Sequence, residues 1–125
     1  MGITPKYIKQ CEKAEKIQEE WTPTYGDYWV FRHSDYWGGY GIFYGQHLGK
    51  DLKSSAIFLP RQDQLQEMVS PSFLNEDKFM FIDRFLSFID SSNRGWSLEQ
   101  LWLAFVMRER YQKRWDDEKE EWRKF

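Results

Sequence analysis

Pro60 divides this chain. It follows the apolar run Ala56-Ile57-Phe58-Leu59 and precedes Arg61-Gln62-Asp63-Gln64-Leu65-Gln66-Glu67-Met68-Val69. Proline has no N–H to give to a strand ladder, so a short strand is expected to end at Leu59. Beyond it Leu65, Met68 and Val69 fall on one side of a short helix that starts near Arg61 and stops at Ser70-Pro71-Ser72. Upstream of Pro60 the chain is rich in glycine and aromatic residues. Downstream its periodicity is helical.

Thr4-Pro5 has the form of an N-cap followed by proline at the first helical position. Tyr7, Ile8, Cys11, Ala14, Ile17 and Trp21 then recur at mostly three- and four-residue steps, the stripe of a packing helix with a charged outer side. Thr22-Pro23-Thr24-Tyr25-Gly26-Asp27 breaks it. Tyr28-Trp29-Val30-Phe31-Arg32-His33 and Tyr40-Gly41-Ile42-Phe43-Tyr44 are aromatic and β-branched runs that suit strands, with Gly38-Gly39 in the turn between them. In the second half, Asn75 is a candidate cap for a helix with the stripe Phe79, Ile82, Phe85, Leu86 and Ile89. Ser97 and Gln100 form a capping box, and the helix it opens runs through Leu101, Trp102, Phe105, Val106 and Met107. The charged tail beyond Tyr111 carries Trp115 and Trp122 seven residues apart, the spacing of one helix face, and is read as a helical extension from about residue 112, the other reading being a turn near Trp115 and a frayed end.

Composition narrows the function. A chain of 125 residues fits one domain, 1–125. A net charge of -2 is too balanced for a strongly basic nucleic-acid binder and too weakly acidic for a general DNA mimic, though it leaves room for local charged patches. Aromatic residues make up 19% of the chain, which argues for a folded core over disorder. Cys11 is the one cysteine, so no intramolecular disulfide can form, as suits a reducing compartment. No apolar run is long enough to span a membrane, and the N-terminus lacks the apolar core of a signal peptide. Lys6 stands where a myristoylation motif needs Ser or Thr. The expected setting is the cytoplasm of a bacterial host.

Two segments, Leu59-Pro60-Arg61-Gln62-Asp63-Gln64-Leu65-Gln66-Glu67-Met68 and Leu98-Glu99-Gln100-Leu101-Trp102-Leu103-Ala104-Phe105-Val106-Met107, together with Trp21-Thr22-Pro23 and Gly26-Asp27, carry a resemblance. The chain resembles a small family encoded by phages and prophages of low-GC Gram-positive bacteria, over most of its length past residue 20. The family has no assigned activity, so the resemblance implies an origin and not a mechanism. The aromatic-glycine hairpin and the charged tail depart from the family pattern.

Catalytic and metal motifs are sparse. His33 and His47 would need carboxylate help from Asp35 or Asp51 to hold a metal, and no metal site or cofactor is expected. The glycines at 38, 39, 41 and 45 lack the strand-to-helix context of a phosphate loop. No nucleophile elbow or triad spacing occurs. Cys11 lies on an apolar stripe, where a thiol is a small buried hydrophobe.

The richest candidate surface is residues 29–44. Trp29, Arg32, His33, Tyr36, Trp37, Tyr40 and Tyr44 include more rings than one face of three strands can bury. Exposed rings there could anchor a protein partner or stack on a base or sugar. If helices cover both sheet faces, the same rings are core. Arg61 and Asp63 sit at a strand end, where polar ligand contacts form; equally, Asp63 suits the positive end of a helix.

The expected fold is α+β, with a small three-stranded antiparallel sheet packed against about four helices. The leading functional expectation is a non-enzymatic phage accessory protein that binds a host or phage macromolecule, with a protein as partner and inhibition of a bacterial defence system as one concrete form. The alternative is a small-molecule or nucleotide-binding protein that uses the aromatic hairpin as its pocket. An enzyme comes third.

Overall fold

Thr4 has extended backbone and its hydroxyl accepts the Tyr7 amide N–H at 3.2 Å, so helix α1 (Pro5–Lys13) starts where the Thr-Pro pair requires. The computed structural model describes residues 4–31, 40–42, 56–69, 78–89 and 93–125. The chain divides into two compact units, Ile3–Arg61 and Gln62–Phe125.

In the first unit the expected continuous helix is broken. Ala14 leaves helical geometry at φ -81 and ψ 70, and α2 (Glu15–Glu20) follows. The Ala14 N–H turns back to the Cys11 carbonyl, which also accepts the Gln18 carboxamide at 3.0 Å. A side chain thus takes a carbonyl near the helix end that the i→i+4 ladder leaves. Strands β1 (Tyr28–Phe31), β2 (Tyr40–Ile42) and β3 (Ala56–Leu59) follow in antiparallel order β2–β1–β3. The register sets Trp29 against Gly41 on one side and Phe58 on the other. Every residue of β3 is buried, as are Trp29 and Val30 on opposite faces of β1, so the sheet is covered on both faces there. The Tyr7 hydroxyl, wholly buried, donates to the Pro60 carbonyl at 2.6 Å and fastens α1 to the end of β3.

The second unit is built on α5 (Leu98–Tyr111), preceded by α3 (Gln62–Val69) and α4 (Lys78–Phe88). The capping box at Ser97 is formed in both directions, at 3.2 and 2.8 Å. Residues 100–107 are all buried, so α5 is covered all round over two turns. α3 packs along α5, contributing Leu65 and Val69. On α4 the Phe85 ring stacks on Trp102 at 3.7 Å, and Phe88 lies against Phe105. Leu86, expected in the buried stripe, is 59% exposed. Arg84 and Glu109 form an ion pair between α4 and α5.

Two further expectations are corrected. The tail is not a helix: Gln112 takes the left-handed conformation (φ 54, ψ 47), closes α5, and is followed by strands β4 (Lys113–Asp116) and β5 (Glu121–Lys124). The strands therefore belong to two small antiparallel sheets rather than one, in a mixed helix-and-strand fold. The Asn75 cap lies outside the described residues.

Candidate functional site

Arg61, placed by Pro60 at the end of β3, lies beside Asp27. Its guanidinium donates to the Gly26 carbonyl at 2.7 Å and stands 3.9 Å from the Asp27 carboxylate. Asp27, 4% exposed, also accepts the Trp21 indole N–H and the Thr24 amide N–H, both at 2.9 Å. Gly26 holds the intervening turn at φ +93, where a side chain is strained. The Trp-Thr-Pro, Gly-Asp and Leu-Pro-Arg segments thus meet in one knot of the first unit. That arrangement gives Arg61 a bond-forming role within its own fold.

Of the other sequence candidates, Trp29 is buried, 7% exposed, with its ring edge-on to Phe31 at 4.7 Å. Among the described residues its indole N–H has no hydrogen-bond partner. Asp63 is exposed in the first turn of α3. Tyr40 lies in β2. Arg32, His33, Tyr36, Trp37 and Tyr44 lie outside the described residues, as do His47, Asp35 and Asp51. Among the described residues no group of three or more His, Cys, Asp or Glu could hold a metal ion, and no helix is long and apolar enough to cross a membrane. Burial pushes the Cys11 thiol far above its ordinary value, although a Tyr7 hydrogen bond offsets this in part, so it is not a nucleophile in the folded chain.

The second unit holds a hollow of about 820 Å³. It is bounded by Ser87 and Phe88 at the end of α4, by Asn93 and Trp96, by Ala104 and Arg108 on α5, and by the terminal hairpin. Its wall was missed in the sequence because the tail was read as a helix. The hairpin is fixed at its turn and at its base. At the turn, the Asp116 carboxylate accepts the Glu118 and Lys119 amide N–H groups at 3.0 and 3.2 Å, and Glu120 takes positive φ at 52. At the base, the Phe125 N–H donates to the Gln112 carbonyl at 3.2 Å. Since antiparallel pairs alternate, that bond makes Trp115–Trp122 and Lys113–Lys124 the non-hydrogen-bonded pairs, whose side chains approach most closely. The two indoles meet edge to face at 5.2 Å.

The register also sorts charge. Lys113 stands opposite Lys124, Arg114 opposite Arg123, and Asp116 opposite Glu121. The base of the hairpin is basic and the turn acidic, with the tryptophans between. Arg123 is drawn to Asp116 at 3.2 Å and to Glu121 at 3.9 Å. The Lys119 N–H, the Arg123 guanidinium and the Glu118 N–H hold the Asp116 carboxyl below the usual carboxylate range. Asp117 accepts the Trp115 indole N–H at 2.9 Å. Arg108 lies over the Phe88 ring at 5.4 Å. Among the described residues no acidic partner holds Lys113, Arg114 or Lys124. The hollow therefore offers uncompensated cations next to the rings of Phe88, Trp96, Trp115 and Phe125. Comparison with known proteins adds no relative: no family model, curated protein or solved structure matches the chain.

Proposed function

We propose that this chain is a non-enzymatic binding protein that holds a host or phage macromolecule against the hollow of its second unit. The observation that carries the reading is the coincidence, around one hollow of about 820 Å³, of aromatic rings with Lys113, Arg114 and Lys124, which have no acidic partner among the described residues. Rings and cations grouped in this way supply contact area and charge complementarity, the ingredients of a recognition surface. The resemblance to phage and prophage proteins gives the setting, an accessory role in an infected cell, with inhibition of a defence system as its most concrete form. The nucleotide-pocket alternative rests on the aromatic hairpin of residues 29–44, much of which lies outside the described residues.

The test is capture from host lysate by the intact chain and by Arg114→Glu. Arg114 is exposed and stands opposite Arg123, so a glutamate there replaces a like-charge pair with an attractive one and the fold is expected to hold. A stoichiometric partner retained by the parent and lost by the variant supports the hollow. Equal retention by both moves the binding surface elsewhere.

A further inference from the structure

The structure assigns to this hollow a more specific occupant, a single-stranded nucleic acid whose phosphate sits between Lys113 and Lys124 and whose base stacks on Trp115. The inference rests on the binding role proposed above and names its ligand.

The argument begins with a local cost. Like charges directly opposite across a strand pair destabilise a hairpin, and at a non-hydrogen-bonded pair the two Cβ atoms are only about 4.5–5.5 Å apart. Lys113 and Lys124 occupy such a pair. Three carboxylates line the hollow, and none pairs with either lysine: Asp116 closes the turn and binds Arg123, Asp117 takes the Trp115 indole, and Glu118 enters the turn through its N–H. Neither lysine is relieved from within the described fold. An anion held between the two ammonium groups relieves both.

The rings select among anions. Side chains alternate along a strand, so Lys113, Trp115, Trp122 and Lys124 share one face of the hairpin. Trp122 is buried at 7% exposure, whereas Trp115 is half-buried and lines the hollow. An acidic peptide would use the cations and leave the indole idle. A nucleic-acid strand uses both, because its phosphates neutralise the lysines while an unpaired base offers a flat π face to the ring. Duplex bases are already stacked and cannot do so. A mononucleotide shares this chemistry, and a strand adds further phosphates.

The experiment is a titration of the full chain, followed by tryptophan fluorescence and melting temperature, with oligothymidylate, thymidine monophosphate, inorganic phosphate and polyglutamate as probes. Lys124→Glu replaces a repulsive pair with an attractive one. It is therefore expected to raise the melting temperature while weakening oligothymidylate binding by about tenfold or more, and to flatten its salt dependence by about 0.7 per lost contact. Stability and binding moving in opposite directions is a result that a merely structural lysine would not give. Trp115→Phe keeps a ring and should retain most of the affinity. Thymidine monophosphate binding as tightly as the oligomer would support the phosphate-and-ring site and assign its source to free nucleotide. Polyglutamate binding in preference to oligothymidylate would overturn the nucleic-acid assignment and leave the hollow as a protein site. Binding unchanged in Lys124→Glu, or absent with every phosphate probe, overturns the inference outright. A lysate partner still lost in Arg114→Glu would then show that the broader binding role survives.

Discussion

The carboxamide of Gln18 binds the Phe58 backbone as a neighbouring strand would: its oxygen accepts the Phe58 N–H at 2.8 Å and its nitrogen donates to the Phe58 carbonyl at 3.0 Å. β3 is an edge strand of its sheet, and Phe58 would otherwise present both groups unpaired inside the fold. Gln18→Leu should cost about 3 kcal/mol, because buried amide and carbonyl groups lose their partners at about 1–3 kcal/mol each. Chemical denaturation of the variant checks this. A loss below about 1 kcal/mol would mean that water replaces the carboxamide there.

Asp27 gathers Trp21, Thr24 and the guanidinium of Arg61. Asp27→Ala leaves two donors without an acceptor and removes the carboxylate beside the half-buried Arg61 guanidinium, an expected loss of about 3 kcal/mol. Asp27→Asn keeps an acceptor oxygen and should lose less. Thermal melts of the two variants against the parent give the comparison, and equal losses would show that charge alone matters.

Cys11 is 1% exposed. A thiol reagent should modify it only when the first unit opens, so the labelling rate at neutral pH should rise with denaturant in step with unfolding. Rapid labelling of the native chain would contradict the packing of α1. The same reaction run on Gln18→Leu should be faster, since that variant lowers the opening free energy.

Acid should weaken the terminal hairpin through Asp116. Its carboxyl is held below the ordinary value by the Lys119 N–H, the Arg123 guanidinium and the Glu118 N–H, so the folded hairpin binds a proton less readily than the unfolded segment does. The contribution is fully present above an unfolded value of about 3.9 and is lost as pH falls through the lower, folded value. The circular-dichroism exciton signal of the Trp115–Trp122 pair should fall in that window. Asp116→Asn should start from a weaker signal and change less.

Much of the architecture is legible in residue chemistry. The Thr4-Pro5 cap, the Ser97–Gln100 box and the strand stop at Pro60 are local, and each is formed by residues within three positions of one another. Ala14 was not legible as a break, because the group that takes the Cys11 carbonyl is a side chain seven residues on. The tail failed for a different reason. A seven-residue spacing of Trp115 and Trp122 fits a helix face as well as a hairpin pair, and the surrounding Lys and Glu residues favour helix. What decides is Gln112 in the left-handed region together with the Asp116 turn, and neither follows from periodicity. The candidate site shifted accordingly. Trp29 is packed inside the sheet and Arg61 is tied to Gly26, whereas Lys113, Arg114 and Lys124 belong to a charged tail whose spacing suggests a helix.

Gln18 also bears on how the chain behaves in company. Ala56-Ile57-Phe58-Leu59 is a short, uncharged, β-prone edge, the kind of segment that recruits further strands when its rim is open. A single glutamine from a preceding helix takes both backbone groups of Phe58, so the rim has no open pair there to offer a further strand.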